Sequence, residues 1–167
     1  GYASEDEGWN ASAVLGGSAA SLEWLFGLVR REGHELDSAA DAQPGPRDYT
    51  SDSVLAKLVV NEAPGGPVTL AFDGGQVEQQ TAVDAFLGVG RFVNTTALEG
   101  DDRMRRQRAG VEQALGAAGA WFDSADWRVY WQGTQTDQDT FELRRAVPPR
   151  TPAVQLDRAF DFDESTV

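Results

Sequence analysis

Apolar positions along this chain recur in two rhythms. Between residues 18 and 31, Leu22, Leu25, Phe26 and Val29 fall at helical spacing, and Trp24 and Leu28 widen the arc. Ser18 or Ser21 can cap such a helix, Arg30 and Arg31 suit its negative end, and Gly33 can stop it. A second helix is predicted over 101–121. Asp101 and Asp102 stand at its positive end, and Asp101/Arg105 and Asp102/Arg106 are i,i+4 pairs. Met104, Val111, Leu115, Ala118 and Phe122 define a narrow apolar stripe along it.

Elsewhere the period is two. Val68, Leu70 and Phe72 alternate with Thr69 and Ala71, then meet Asp73-Gly74-Gly75-Gln76, which has the residues of a tight turn. The run from Val77 to Val93 is long for one strand, and Gly88 and Gly90 suggest a bend in it. Together these runs predict a projecting β-ribbon. Residues 53–61 carry both rhythms; a strand is favoured because Ala63-Pro64-Gly65-Gly66-Pro67 then closes a hairpin. Trp127, Val129 and Trp131 alternate, Gly133 to Asp139 turns, and Phe141, Leu143 and Val147 alternate again. Val154, Leu156, Phe160 and Phe162 make a last strand, and residues 34–50, centred on Pro44-Gly45-Pro46, read as a long polar loop. The expected fold class is α+β: a mainly antiparallel sheet with a long β-hairpin and two helices packed on one face. The expected organisation is an N-terminal extension (1–17), one domain (18–162) and an acidic tail (163–167).

Composition narrows the function more than the fold. The 167 residues suffice for one domain with a sizeable core. A 41% hydrophobic content with five Trp sets disorder aside. With no Cys, disulfides, thiolate metal sites and thiol catalysis are excluded; with His34 alone, so is any relay of two histidines. The formal charge of -13 disfavours nucleic acid as a partner. Lys57 is the single lysine among 14 bases and Ile is absent, a balance like that of proteins adapted to molar salt, where self-repulsion is screened. No run is long enough for a membrane-spanning helix, and the first residues lack the features of a signal peptide, so the expectation is a protein without membrane contact.

Candidate chemistry is sparse. His34 and Asp37 stand three apart, but no Gly-x-Ser-x-Gly elbow supplies a nucleophile. Asp137-Gln138-Asp139-Thr140 has the letters of a phosphatase motif without the apolar strand before it or a lysine after it, so a turn is the better reading. Asp161 and Asp163 offer too few ligands for a cation, and Gly88-Val89-Gly90 lacks the third glycine of a dinucleotide loop. Asn10 and Asn94 head sequons of the kind chance supplies. The expectation is a non-enzyme without cofactor or metal, with a carboxylate-only enzyme as an alternative. One charge feature stands out: Arg103, Arg105, Arg106 and Arg108 on one predicted helix, a candidate partner-binding site for an acidic protein. Trp121, Trp127, Tyr130 and Trp131 form a dense aromatic group suited to a core or an oligomer interface.

The order of these elements resembles the tail-terminator (tail-completion) proteins of long-tailed viruses. The matching parts are Ser21–Arg31, the Val68–Val93 ribbon, the Asp101–Phe122 helix and the strands from Trp127 onward. The resemblance implies a virion structural protein of a halophilic virus that self-assembles into a homo-oligomeric ring, a hexamer among the sizes open. It also implies neighbouring tail-tube or neck proteins as partners. A different head–tail connector, or a binding module using the arginine-rich helix, stays open.

Overall fold

The computed structural model of the chain describes residues 7–35, 47–116, 124–149 and 152–167. Seven strands carry almost all of them: β1 (Glu7–Ala19), β2 (Leu22–Glu35), β3 (Arg47–Val60), β4 (Val68–Ala82), β5 (Thr95–Leu115), β6 (Ala125–Arg144) and β7 (Val154–Thr166). They form one sheet in sequence order, and each neighbouring pair is antiparallel. Among the described residues there is no α-helix, only short 3-10 turns at Asp84–Phe86 and Gly90–Phe92. The expected α+β class is therefore corrected to an all-β meander.

Both expected helices are strands. The segment 18–31 crosses the end of β1, a turn at Ala20-Ser21 and most of β2. Leu22, Trp24, Phe26 and Leu28 share one side of β2 by alternation, while Leu25 and Val29 share the other. An apolar run this dense satisfies both periods. Gly27 and pairing with β1 and β3 along the whole length of β2 decide for the strand. The segment expected as the second helix forms most of β5, which pairs with β4 on one side and β6 on the other; residues 117–123 lie outside the described residues.

Two expected turns are absent. Asp73-Gly74-Gly75-Gln76 lies within β4, where Gly74 faces Val54 and Gln107 in unbroken pairing. Gly133 to Asp139 lies within β6. The ribbon expected to reach Val93 ends at Ala82. Residues 53–60 are strand, as expected, and 61–67 closes the β3–β4 hairpin, with the Gly66 N–H donating to the Ala63 carbonyl at 3.1 Å. Of the expected polar loop, His34 belongs to β2 and Arg47–Thr50 to β3, and 36–46 lies outside the described residues. The expected acidic tail begins inside β7, which runs on to Thr166.

These strands are long, from 13 residues in β1 to 21 in β5, where about 5–6 is usual. No second layer packs on the sheet among the described residues. Among the described residues Leu98 is the single buried hydrophobic residue, so the expected sizeable core is not there. The chain exposes 12044 Å², whereas a compact monomer of its 18.0 kDa exposes about 8000 Å².

Candidate functional site

Residues paired across neighbouring strands point to the same side of a sheet, so the register sorts the side chains into two faces. We call front the face that carries Trp24. Starting from the end with the Ala20-Ser21 turn, its first row is Ala19, Leu22, Val60, Val68, Gln113 and Trp127. The second is Gly17, Trp24, Leu58, Leu70, Val111 and Val129. The third is Leu15, Phe26, Ala56, Phe72, Ala109 and Trp131. The fourth is Ala13, Leu28, Val54, Gly74, Gln107 and Gly133.

No residue of these rows is charged. The band spans about 20 Å along each strand at about 3.3 Å per residue. Its side chains are open to the surroundings: Leu15 is 62% exposed, Trp24 43% and Val129 54%. At the outer margin Trp127 Nε1 donates to Gln113 Oε1 at 3.2 Å, so the polar tip of the indole is satisfied within the band.

The back face at the same level is different. It carries Glu23, Lys57, Asp73, Arg108, Glu112 and Arg128, with Val14, Leu25, Leu55, Val59 and Tyr130 between them. Arg108 Nε meets Asp73 Oδ1 at 2.7 Å and Arg128 Nη2 meets Glu112 Oε2 at 2.8 Å, so charges of opposite sign pair across strands. Asn61 Nδ2 donates to Glu23 Oε1 at 2.8 Å. The sheet is thus two-faced at this level, with an uncharged apolar front and a charged back.

Beyond the fourth row the front face turns polar. Arg30, Asp52, Gln76, Arg105 and Gln135 form the fifth row, and Glu32, Thr50, Glu78, Arg103 and Asp137 the sixth. Arg30 Nη1 reaches Asp52 Oδ2 at 3.5 Å, its Nε donates to Glu32 Oε1 at 2.9 Å, and Arg103 Nε meets Glu78 Oε1 at 2.8 Å. The Arg30 guanidinium holds the Glu32 carboxyl below its usual range, ahead of a smaller opposing cost of desolvation and a further bond from Trp9. In the seventh row His34 Nδ1 bonds Asp48, not Asp37, which lies outside the described residues.

The four arginines singled out in the sequence do not form one patch. Alternation along β5 sends Arg103 and Arg105 to the front and Arg106 and Arg108 to the back. Each already has a partner: Glu78, Gln76, Gln132 and Asp73 respectively. In the aromatic group, Trp127 and Trp131 are on the front and Tyr130 on the back, all exposed, while Trp121 lies outside the described residues. Asp137 and Asp139 sit mid-strand in β6, and Asp161 faces Asp137 across β7. No metal-binding group of acids and His is found among the described residues.

One buried polar cluster escaped the sequence reading. At the far end of the back face, Glu142 is fully buried. It accepts from Thr95 Oγ1 at 2.7 Å, Arg144 Nε at 2.7 Å and Arg158 Nη2 at 3.3 Å, tying β5, β6 and β7 together. The Arg144 hydrogen bond leads in holding its carboxyl at about 2; burial opposes, and Thr95 and Arg158 add to the lowering. Glu142-x-Arg144 is a local signal, but Thr95 and Arg158 are brought there only by the register.

No family model matches the chain and no curated protein does.

Proposed function

We propose that this sheet is part of the wall of a transmembrane β-barrel, with the front band against lipid and the charged back face lining a water-filled interior. The protein would then form a passage, or a closable vessel, for polar solutes. The observation that carries the reading is the uncharged apolar band, backed at the same level by paired charges. A barrel wall alternates in just this way, with an apolar belt about 25 Å tall outside and polar residues inside. A spanning strand needs about 9–11 residues; β1 to β6 exceed that and would project beyond the bilayer on the side of their polar rows, where β7 pairs with β6 from Gln132 onward. The band lies at the end where β1 turns into β2 within Ala20-Ser21. The longest described connection, 83–94, is at the other end, as in barrels with short turns on one side and long loops on the other.

Hydrocarbon does not tolerate open sheet edges, because their N–H and C=O groups have no partner there. At the level of the band the open edges are β1 and the Ala125–Trp131 part of β6, because β7 meets β6 only from Gln132 onward, so further strands must close the barrel. This reading departs from the expectation of a protein without membrane contact. No helix among the described residues is long and apolar enough to cross a membrane, a test that strands do not enter.

The open edges also support a second reading, the one the viral resemblance implies: copies joining edge to edge into a ring that needs no lipid. That resemblance takes Ser21–Arg31 and Asp101–Phe122 as helices, whereas 22–31 and 101–115 are strand.

Depth-resolved quenching separates the two. The full chain is folded into phosphatidylcholine vesicles with brominated acyl chains, using variants that retain Trp24, Trp131 or Trp9 alone. Trp24 and Trp131, in the band, are expected to be quenched strongly, and Trp9, level with Glu32, weakly. Equal quenching of all three, or none, overturns the membrane reading; a discrete lipid-free ring by light scattering supports the second.

A further inference from the structure

The front face has a dent where its apolar band meets its polar rows. Gly74 has no side chain there, leaving a groove of about 570 Å³. Leu28, Val54 and Phe72 line its apolar part, and Gln76 and Arg105 its polar rim. A Cβ at Gly74 would sit 3.3 Å from the Phe72 ring and 3.5 Å from Val54, so the glycine keeps the floor low.

The two arginines at this rim are not equivalent. Arg30 is engaged by Glu32 and Asp52, both acidic. Arg105 donates from Nε to the neutral Oε1 of Gln76 at 2.9 Å, and its neighbour on the other side at the same level is Gln135, also neutral. Of the charged residues lining the groove, Arg30, Asp52 and Arg105, the sum is positive, in a chain whose formal charge is -13. An apolar floor beside an exposed guanidinium bonded to a neutral amide rather than to a carboxylate fits an amphiphile with a hydrocarbon chain and an anionic head.

We infer that the Gly74 groove binds an anionic phospholipid, with an acyl chain on Leu28, Val54 and Phe72 and the headgroup phosphate on the Arg105 guanidinium. The planar fork of arginine presents paired N–H donors that match phosphate oxygens. The inference rests on the barrel reading, which places the fifth row at headgroup level.

Phe72→Trp, in a variant whose five native tryptophans are replaced by Phe, puts a lone reporter in the groove. The full chain is folded into phosphatidylcholine vesicles containing a small fraction of brominated phosphatidylglycerol, or the same fraction of brominated phosphatidylcholine. The expected result is quenching by the anionic lipid at about fivefold lower mole fraction, the factor equivalent to about 1 kcal/mol per basic residue near the surface. Arg105→Gln should remove that preference and leave quenching by phosphatidylcholine unchanged. Quenching by both lipids alike overturns the lipid site and leaves the barrel reading standing. Quenching by neither overturns both. Millimolar inorganic phosphate that perturbs the reporter without lipid, through Arg105, would make this a phosphate site and overturn the lipid assignment. Should Phe72→Trp not fold, the native Trp24, one row below as the lone tryptophan, reads the same preference.

Discussion

Glu142 shows what a single side chain does in a sheet without a core. Its carboxylate is buried, while the arginines that bond it stay half open to water, with side-chain exposures of 38% for Arg144 and 55% for Arg158. Removing the charge frees those arginines to hydrate, so the cost falls mainly on the lost bonds and on the Thr95 hydroxyl left behind. Glu142→Gln is expected to lower stability by about 1–3 kcal/mol, measured by urea unfolding. The same group has a signed pH dependence. Its carboxyl moves from an ordinary 4.5 when free to about 2 when folded. A lowered folded value means that its contribution is complete above about pH 4.5 and is lost as the pH falls towards 2. Melting temperatures followed from pH 5 to pH 2 should therefore fall less in Glu142→Gln than in the parent.

At the scale of elements, glycines meant different things in different places. At Gly65-Gly66 they mark a turn: Gly66 has φ +134°, and a Cβ there would collide with the Ala114 carbonyl oxygen, across the sheet in β5. Gly66→Ala is expected to cost about 1–3 kcal/mol, and faster amide exchange in 58–70 than elsewhere would localise the damage to this hairpin. At Gly74-Gly75 and Gly133 they lie inside strands instead. A Cβ at Gly33 would lie 2.5 Å from the Tyr49 ring, which covers that glycine from the paired strand, and a Cβ at Gly133 would lie 2.8 Å from the Trp131 ring. Aromatic side chains laid over glycines keep such strands regular where turn propensity alone would break them. Asp73-Gly74-Gly75-Gln76 reads as a turn in isolation and is a strand here because it pairs without a break with β3 on one side and β5 on the other. The exposed ion pairs between strands, such as Arg128–Glu112, each contribute about 0–1 kcal/mol, so they select register more than they hold the sheet.

For the whole molecule, the charge of -13 and the apolar band answer to different surroundings. An uncharged face about 20 Å tall and six strands wide, at about 4.8 Å between strands, reaches the upper end of the roughly 300–600 Å² of the largest apolar patch on a soluble monomer, a size that commonly marks a contact surface. Dispersed in buffer, the chain is expected to associate, and molar sulfate should deepen the association because it strengthens apolar burial. Non-ionic detergent above its micellar concentration should yield a uniform particle. Size-exclusion chromatography with light scattering checks both, and a uniform, detergent-free monomer would overturn the account of the front face. Salt adaptation, the sequence-level explanation of the charge, leads to the opposite expectation, with molar salt dispersing the chain.

By itself the sequence determined what is local. Alternation identified the strand cores at Val68–Phe72 and Trp127–Trp131, and Pro64-Gly65-Gly66-Pro67 marked the connection between β3 and β4. The absence of Cys and the single His removed whole classes of chemistry. It did not determine β2 or β5, because an apolar run such as Leu22, Trp24, Leu25, Phe26 and Leu28 satisfies period two and period 3.6 alike. Nor did it determine the two faces. Whether Arg103 and Arg106 lie together or on opposite sides of a wall depends on the period, and strand pairing settles the period. The partners in that pairing are far apart in the chain: Arg103 meets Glu78 on one side and Asp137 on the other. Backbone hydrogen bonds between distant strands, made along their whole length, outweigh the few tenths of a kcal/mol of local preference at each residue.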